Sequence, residues 1–270
     1  MRYLYRYQRM PKDNEPEYTE LIERIRKLFS HSELYADSPK NFNDPFDCKV
    51  DFTFNGCTDD DIRKFIEKKQ NYLNRNIDVE KEYAAAIGNK LEWQQNVMKS
   101  AIENLQPEID DKMGVLCFSE HRDNILMWSH YSDGHKGFCL EFDKKLLEAW
   151  KFCRPVNYDG NEKYLSFKEF NEAFPDNNGK LIQLLLLRKS KHWEYESEWR
   201  IIVNPYIDNH GNRSYTFPEE TLTGIIFGCN MSDNDKKSIR SCVKGRKNRI
   251  TFYQAKKKEN EFGLDIEEID

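Results

Sequence analysis

Two carboxylates two residues apart, Glu196 and Glu198, followed at once by Arg200, are the densest chemical signal in the chain. If Glu198 opens a strand, the two-residue period sets it on one face with Arg200. Trp199 and Ile201 then turn into the core. A buried carboxylate can act as a general base or steady a developing positive charge. A second one beside it can tune its pKa or hold substrate. The plain alternative is an ion pair between Glu198 and Arg200. Lys191, His192 and Glu194 just upstream make a pocket floor an equally good reading.

Two further blocks cluster polar and aromatic residues. From Cys117 to Glu141, a strand ends at Ser119 and a short helix follows over Asn124–Tyr131, with Trp128 and Tyr131 three apart on one face. His130 and His135 flank Gly134. Such an arrangement suits a pocket for a nucleotide or an aromatic ring; the bland reading makes Trp128 core and His130 a helix cap. His130, His135 and Cys139 match no standard zinc spacing, so no metal is expected. In the block Ser38–Asp47, Asn43, Asp44 and Asp47 bond readily to their own backbone and Pro45 fixes φ. That predicts a rigid turn, with Phe42 or Phe46 available as a wall for a planar ligand.

The elements that must position these blocks follow from periodicity. Residues 2–7 read as an opening strand, and Leu21, Ile22, Ile25, Leu28 and Phe29 recur at helical spacing. Leu34–Ala36 is a second short strand. A helix capped by Asp59–Asp61 and a longer one over Val79–Leu105 form a helical insertion at about 58–108. Beyond it come strands at Gly114–Ser119, Lys136–Phe142, Trp199–Asn204, Leu222–Phe227, Ile250–Tyr253 and Phe262–Ile266. Helices are expected after Asp143, near Lys180–Lys189 and from Ser232 or Asp233. The elements do not alternate as strict βαβ units. The expected fold is therefore one α+β domain with a mixed or antiparallel central sheet and flanking helices.

Composition bounds the function class. The 270 residues are 38% hydrophobic, 33% charged and 13% aromatic, which is globular rather than disordered. A net charge of −5 argues against a broad nucleic-acid surface, although Lys236–Lys258 could form a local one. The start has no secretory h-region and no apolar run could span a membrane. The seven cysteines follow no CxxC pattern, so they are expected to be reduced and the protein cytoplasmic. GxGxxG, GxxxxGK[ST] and GxSxG are absent, which removes nucleotide-fold dehydrogenases, P-loop enzymes and elbow hydrolases from the leading readings.

Leu4-Tyr-Arg-Tyr7, Phe42-Asn-Asp-Pro-Phe-Asp47, Met127-Trp-Ser-His-Tyr131 running on to His135–Phe142, and Trp193–Arg200 together resemble a bacterial domain-of-unknown-function family, number 2971. In layout the chain is also similar to ADP-ribosyltransferases, above all the DNA-modifying toxins. It lacks their Ser-Thr-Ser triplet and has no histidine in the opening strand. That second resemblance implies an ADP-ribosyltransferase-like fold and NAD as co-substrate. Arg6 would hold the pyrophosphate, Trp128 or Tyr131 would stack on nicotinamide, and Glu198 would be the catalytic carboxylate with Glu196 and Arg200 beside it.

The residues expected to bind NAD are Tyr5, Arg6, Tyr7, Phe46, Ser119, Trp128, His130, Tyr131 and His135. Those expected at the acceptor substrate are Asn43, Asp44, Asp47, Glu141 and Lys191. The implied role is a toxin or phage-defence effector modifying nucleic acid or protein, with Lys244–Arg249 as a nucleic-acid contact. Two alternatives stay open. One is a non-catalytic nucleotide or nucleic-acid binding module, and the other a metal-dependent nuclease using Asp44, Asp47 and Glu141.

Overall fold

The computed structural model describes residues 2–12, 14–73, 78–158, 165–175 and 179–270. In chain order the elements begin with β1 (Tyr3–Gln8), α1 (Tyr18–Ser30), β2 (Glu33–Tyr35), β3 (Phe52–Thr53), α2 (Asp59–Leu73), α3 (Val79–Gly88) and α4 (Lys90–Pro107). Next are β4 (Gly114–Ser119), α5 (Ile125–Tyr131), β5 (Phe138–Asp143), α6 (Lys144–Trp150), β6 (Cys153–Pro155), β7 (Leu165–Ser166), α7 (Phe167–Ala173) and α8 (Lys180–Leu186). The chain ends with β8 (Glu198–Val203), α9 (Pro205–Asp208), β9 (Ser214–Thr216), β10 (Leu222–Phe227), α10 (Asp233–Val243), β11 (Thr251–Lys257) and β12 (Leu264–Ile269).

Two compact units share the chain. The first takes residues 1–37, 114–156 and 192–270; the second takes 38–113 and 157–191. The first unit carries an eight-stranded sheet in the order β12-β11-β10-β5-β1-β4-β8-β6. Among the described residues only β10 and β11 run parallel in it, so the sheet is mixed and the fold is α+β. Alternation decides its faces. Leu4, Leu116, Phe118, Leu140, Phe142, Ile201 and Ile225 pack beneath α1, α6 and α10 through Ile25, Leu28, Phe29, Leu147 and Ile239. On the other face Tyr5, Tyr7, Cys139 and Ile226 pack with Met127 and Trp128 of α5. Fully burying a side chain of this size stabilises the fold by about 1.5–3 kcal/mol.

Local signals set the ends of the helices. The side chain of Asn124 accepts from the N–H groups of Leu126 and Met127 and so starts α5. Asp143 caps α6 in the same way, and Ser232 caps α10.

The second unit holds α2, α3, α4, α7 and α8 with the small parallel pair β3–β7. Its core is a run of rings: Phe52 stacks on Phe170 at 4.2 Å and Phe54 on Phe167 at 4.8 Å. The single helix expected over Val79–Leu105 is in fact two. Asn89 ends α3 and, through its side chain, accepts from Glu92 N–H to begin α4, so an Asx residue after Gly88 outweighs the continuous helical pattern.

Candidate functional site

The first unit's sheet opens at its centre. β1 keeps register with β5 over six residue pairs, yet among the described residues it meets β4 at one pair, Tyr5 with Ser119. The far end of β4 bridges to Asp37 instead, Val115 exchanging both backbone hydrogen bonds with it at 3.1 and 2.8 Å. Cys117 lies between these two pairings, and Arg6 Nη1 donates to its carbonyl at 2.9 Å in place of a strand neighbour. The Arg6 Nε is buried without an acceptor. Burial pushes the guanidinium pKa down, against the opposing influence of Cys117, Asp37 and Glu198.

β8 lies beside β4 in unbroken register, Ser119 opposite Glu198 and Cys117 opposite Arg200. Glu198 and Arg200 share a face, as alternation requires, and Ile201 joins the core on the other. Arg200 donates from Nε and Nη2 to the two oxygens of Glu198, each at 2.8 Å, with both side chains nearly sealed from solvent. Cys117 also hydrogen-bonds Glu198. Burial first, and then the Glu198 charge, push that thiol well above its ordinary pKa.

Glu196 sits one turn earlier, at the end of a 3₁₀ segment over Lys191–Glu196. Ser197 between the two carboxylates has φ of +41°, a left-handed backbone that a serine adopts at a cost. Two hydroxyls hold Glu196: Tyr131 donates to Oε1 at 2.6 Å, and Ser119 Oγ donates to its carbonyl at 2.6 Å. Ser119 Oγ also accepts from His121 N–H, and His121 Nε2 lies 3.1 Å from Ser197 Oγ.

Aromatic residues brace this arrangement from α5. Trp128 is fully buried, its indole N–H donating to the Arg122 carbonyl at 2.9 Å. Tyr7 meets it edge-on at 5.2 Å, and His135 lies parallel to it at 6.1 Å. The Tyr7 hydroxyl donates to His121 C=O at 2.8 Å. The turn after α5 comes so close to β1 that a Cβ on Gly137 would fall onto the Gln8 carbonyl oxygen.

The structure thus gathers Arg6, Ser119, Tyr131, Glu196, Glu198 and Arg200 about three adjacent strands. Tyr5 and Glu141 lie one strand away, the Tyr5 hydroxyl 3.3 Å from the Glu141 carboxylate, which also accepts from Thr223 at 3.0 Å. Trp128, Tyr7 and His135 form support rather than an open wall, because Trp128 has no exposed surface. This corrects the expectation that Trp128 could stack on a ligand. His130 is at the surface beside Trp193.

Asn43, Asp44, Phe46, Asp47 and Lys191 belong to the second unit. Their block is the rigid turn expected of it: Asp44 Oδ1 accepts from Phe46 N–H at 2.9 Å, and Asp47 N–H bonds the Asp44 carbonyl. Asp47 is buried, 3.6 Å from Lys189, whereas Phe46 is 63% exposed and Asn43 and Lys191 are exposed. Among the described residues no three His, Cys, Asp or Glu side chains are grouped to hold a metal ion. No helix among them is long and apolar enough to cross a membrane.

Arg246, expected at a nucleic-acid contact, is instead a buried clasp. Its guanidinium donates to Asn248 Oδ1 and to the carbonyls of Phe29 and Glu219 at 3.0, 3.0 and 2.7 Å. Sequence reasoning passed over Cys117, although the alternation from Val115 to Ser119 puts it on the Ser119 face. It also missed Asp37, whose bridge joins segments far apart in sequence.

Residues 127–201 match the model of a family described as "Protein of unknown function (DUF2971)", the family that the four motifs resemble. The match takes in the Met127–Tyr131 and Trp193–Arg200 motifs. No curated protein and no solved structure matches the chain. The likeness to ADP-ribosyltransferases has no support from these comparisons and rests on the residues alone.

Proposed function

We propose that the β1–β4 junction is an NAD site and that the protein is an NAD-consuming, ADP-ribosyltransferase-like enzyme. The observation in its favour is that Arg6 reaches the Cys117 carbonyl on β4, the strand whose Ser119 lies opposite Glu198 on β8, so the cation and the carboxylate belong to one junction of the sheet. The orphaned Arg6 Nε suits an anionic oxygen, here a pyrophosphate oxygen. Breaking the nicotinamide–ribose bond sends the bonding pair out with neutral nicotinamide and leaves positive charge on the ribose. An acceptor hydroxyl or amine, or water, then bonds to that carbon and gives up its proton. Glu198 is the group to face the positive charge. Glu196, its Oε1 fixed by Tyr131, is the group to take the proton. With Trp128 sealed, stacking on nicotinamide falls to Tyr131. The acceptor is proposed to be nucleic acid or protein, in keeping with a toxin or phage-defence role.

A second reading has its own supporting observation. The two-pronged Glu198–Arg200 pair engages both carboxylate oxygens, as a structural ion pair would in a non-catalytic nucleotide-binding module. The deciding experiment measures NAD⁺ turnover by purified protein with RNA, DNA and cell lysate as acceptors. Wild type is compared with Glu198→Gln and Glu196→Gln, each shown to be folded by circular dichroism. Turnover lost in the folded variants supports the enzyme. NAD⁺ bound but never turned over by wild type supports the binding module, and neither binding nor turnover overturns both.

A further inference from the structure

On the α1 side of the sheet opening lies a cavity of about 200 Å³, lined by Arg6, Gln8, Arg9, Arg24, Tyr35 and Asp37. At roughly 30 Å³ for each water it has room for about seven, more than a bare phosphate fills. Its arginines differ in how they are engaged. Arg9 is bonded to both oxygens of Glu15 at 2.7 Å. Arg24 bonds Glu20 at 2.5 Å, and its guanidinium carbon lies over the Tyr35 ring, 3.5 Å from its centre. Among the described residues the Arg6 side chain has one hydrogen bond, to the Cys117 carbonyl, and a buried Nε–H with no acceptor. A buried charged donor left unmatched is costly, and the planar guanidinium fork matches phosphate oxygens.

Carboxylates share the same cavity: Asp37 is joined there by Glu33. Two acids would repel a second anion, but they accept readily from sugar hydroxyls. The hydrophobic wall from Leu21, Ile25, Leu28 and Leu34 suits the carbon face of a sugar ring.

We infer that this cavity binds a phosphorylated sugar, its phosphate on Arg6 with Arg24 at the rim and its hydroxyls on Asp37 and Glu33. The inference deepens the NAD reading and rests on it for Arg6, because the ribose diphosphate of NAD is one such ligand. It adds Arg24, Tyr35, Glu33 and Asp37, and its test needs no turnover.

The test is isothermal titration of the full chain with ribose 5-phosphate, ADP-ribose, inorganic phosphate and adenosine. Wild type is expected to bind both phosphorylated sugars and to prefer ribose 5-phosphate over phosphate. Arg6→Gln should weaken that binding at least tenfold. Should this variant not fold, Arg24→Gln, which alters a partly exposed side chain, carries the same expectation. Asp37→Asn should narrow the preference for ribose 5-phosphate over phosphate, because only the hydroxyl contacts are weakened. Adenosine binding without either sugar phosphate, or equal affinity for phosphate and ribose 5-phosphate, overturns the inference. If ribose 5-phosphate binds through Arg6 and Arg24 but NAD⁺ is never consumed, the inference stands and the enzyme reading falls. If NAD⁺ is consumed equally well by Arg24→Gln and Asp37→Asn, and ribose 5-phosphate does not bind, the enzyme reading stands and the inference falls.

Discussion

Glu198 and Arg200 lie two residues apart on β8 and are joined by two hydrogen bonds of 2.8 Å in a position almost closed to solvent. Charged groups so placed are strong partners and poor widows. The attraction offsets a large desolvation cost only while both members remain.

Glu198→Gln is therefore expected to destabilise the protein by about 3 kcal/mol, the lower end for breaking a buried pair. Glu198→Gln combined with Arg200→Met should lose less than the sum of the two single changes. Urea unfolding of the four proteins measures the coupling, and strict additivity would show that the pair is not a unit. The same loss explains why a turnover assay on Glu198→Gln needs Glu196→Gln beside it.

Gly137 carries a second prediction. Its Cα passes so near β1 that an added methyl would meet the Gln8 carbonyl oxygen, and a backbone atom cannot step aside as a flexible side chain can. Gly137→Ala should cost at least about 3 kcal/mol, seen as a large drop in thermal midpoint. Gly134→Ala, three residues earlier in the same turn, meets nothing within 4 Å but has φ of +62°. It should lose about 1–2 kcal/mol, the cost of a left-handed backbone to a residue with a Cβ.

How much of this was legible in the sequence depends on the range of the interaction. The faces of β8 followed from a period of two, so Glu198 and Arg200 were placed together and Ile201 in the core. The caps at Asn124, Asp143 and Ser232 act over three residues and could be located from the chain alone. The break at Asn89 was missed because helical spacing of the apolar residues continues through it, while the Asx cap that stops α3 is a local backbone contest. The opening between β1 and β4 had no signal at all. It arises because Asp37, from a different part of the chain, takes the place at Val115 that β1 vacates. Whether Trp128 is wall or core was also beyond alternation. It was decided by Tyr7, which meets the ring edge-on, and His135, which lies parallel to it.

Arg246 gives a third prediction, one that separates fold from nucleic-acid contact. Its side chain is 2% exposed and bonds three oxygens from three segments. Burial lowers its pKa, and Glu219 works against that shift. Arg246→Met should cost roughly 2–3 kcal/mol by orphaning the Phe29 and Glu219 carbonyls. In any DNA or RNA binding, the slope of affinity against salt should be unchanged by it, since a buried guanidinium releases no counterion from a phosphate. A shallower slope in a folded Arg246→Met protein would return this residue to the nucleic-acid surface.

His135 sets the expected response to acid. Burial beside Trp128, and then the charge of Lys257, lower its pKa below the ordinary histidine value. The folded protein thus holds the neutral ring, while the unfolded chain takes up a proton near pH 6.5. Between the lowered value and 6.5 the unfolded state binds more protons, so stability rises with pH there. The contribution is complete above about pH 6.5 and is lost as pH falls through the folded-state value. Urea midpoints at pH 7.5, 6.5, 5.5 and 5.0 should fall on acidification in wild type. In His135→Gln they should fall less steeply, even though that protein starts lower for want of the ring stacked on Trp128. Parallel pH profiles for the two proteins would mean that carboxylates elsewhere, and not this histidine, govern the acid response.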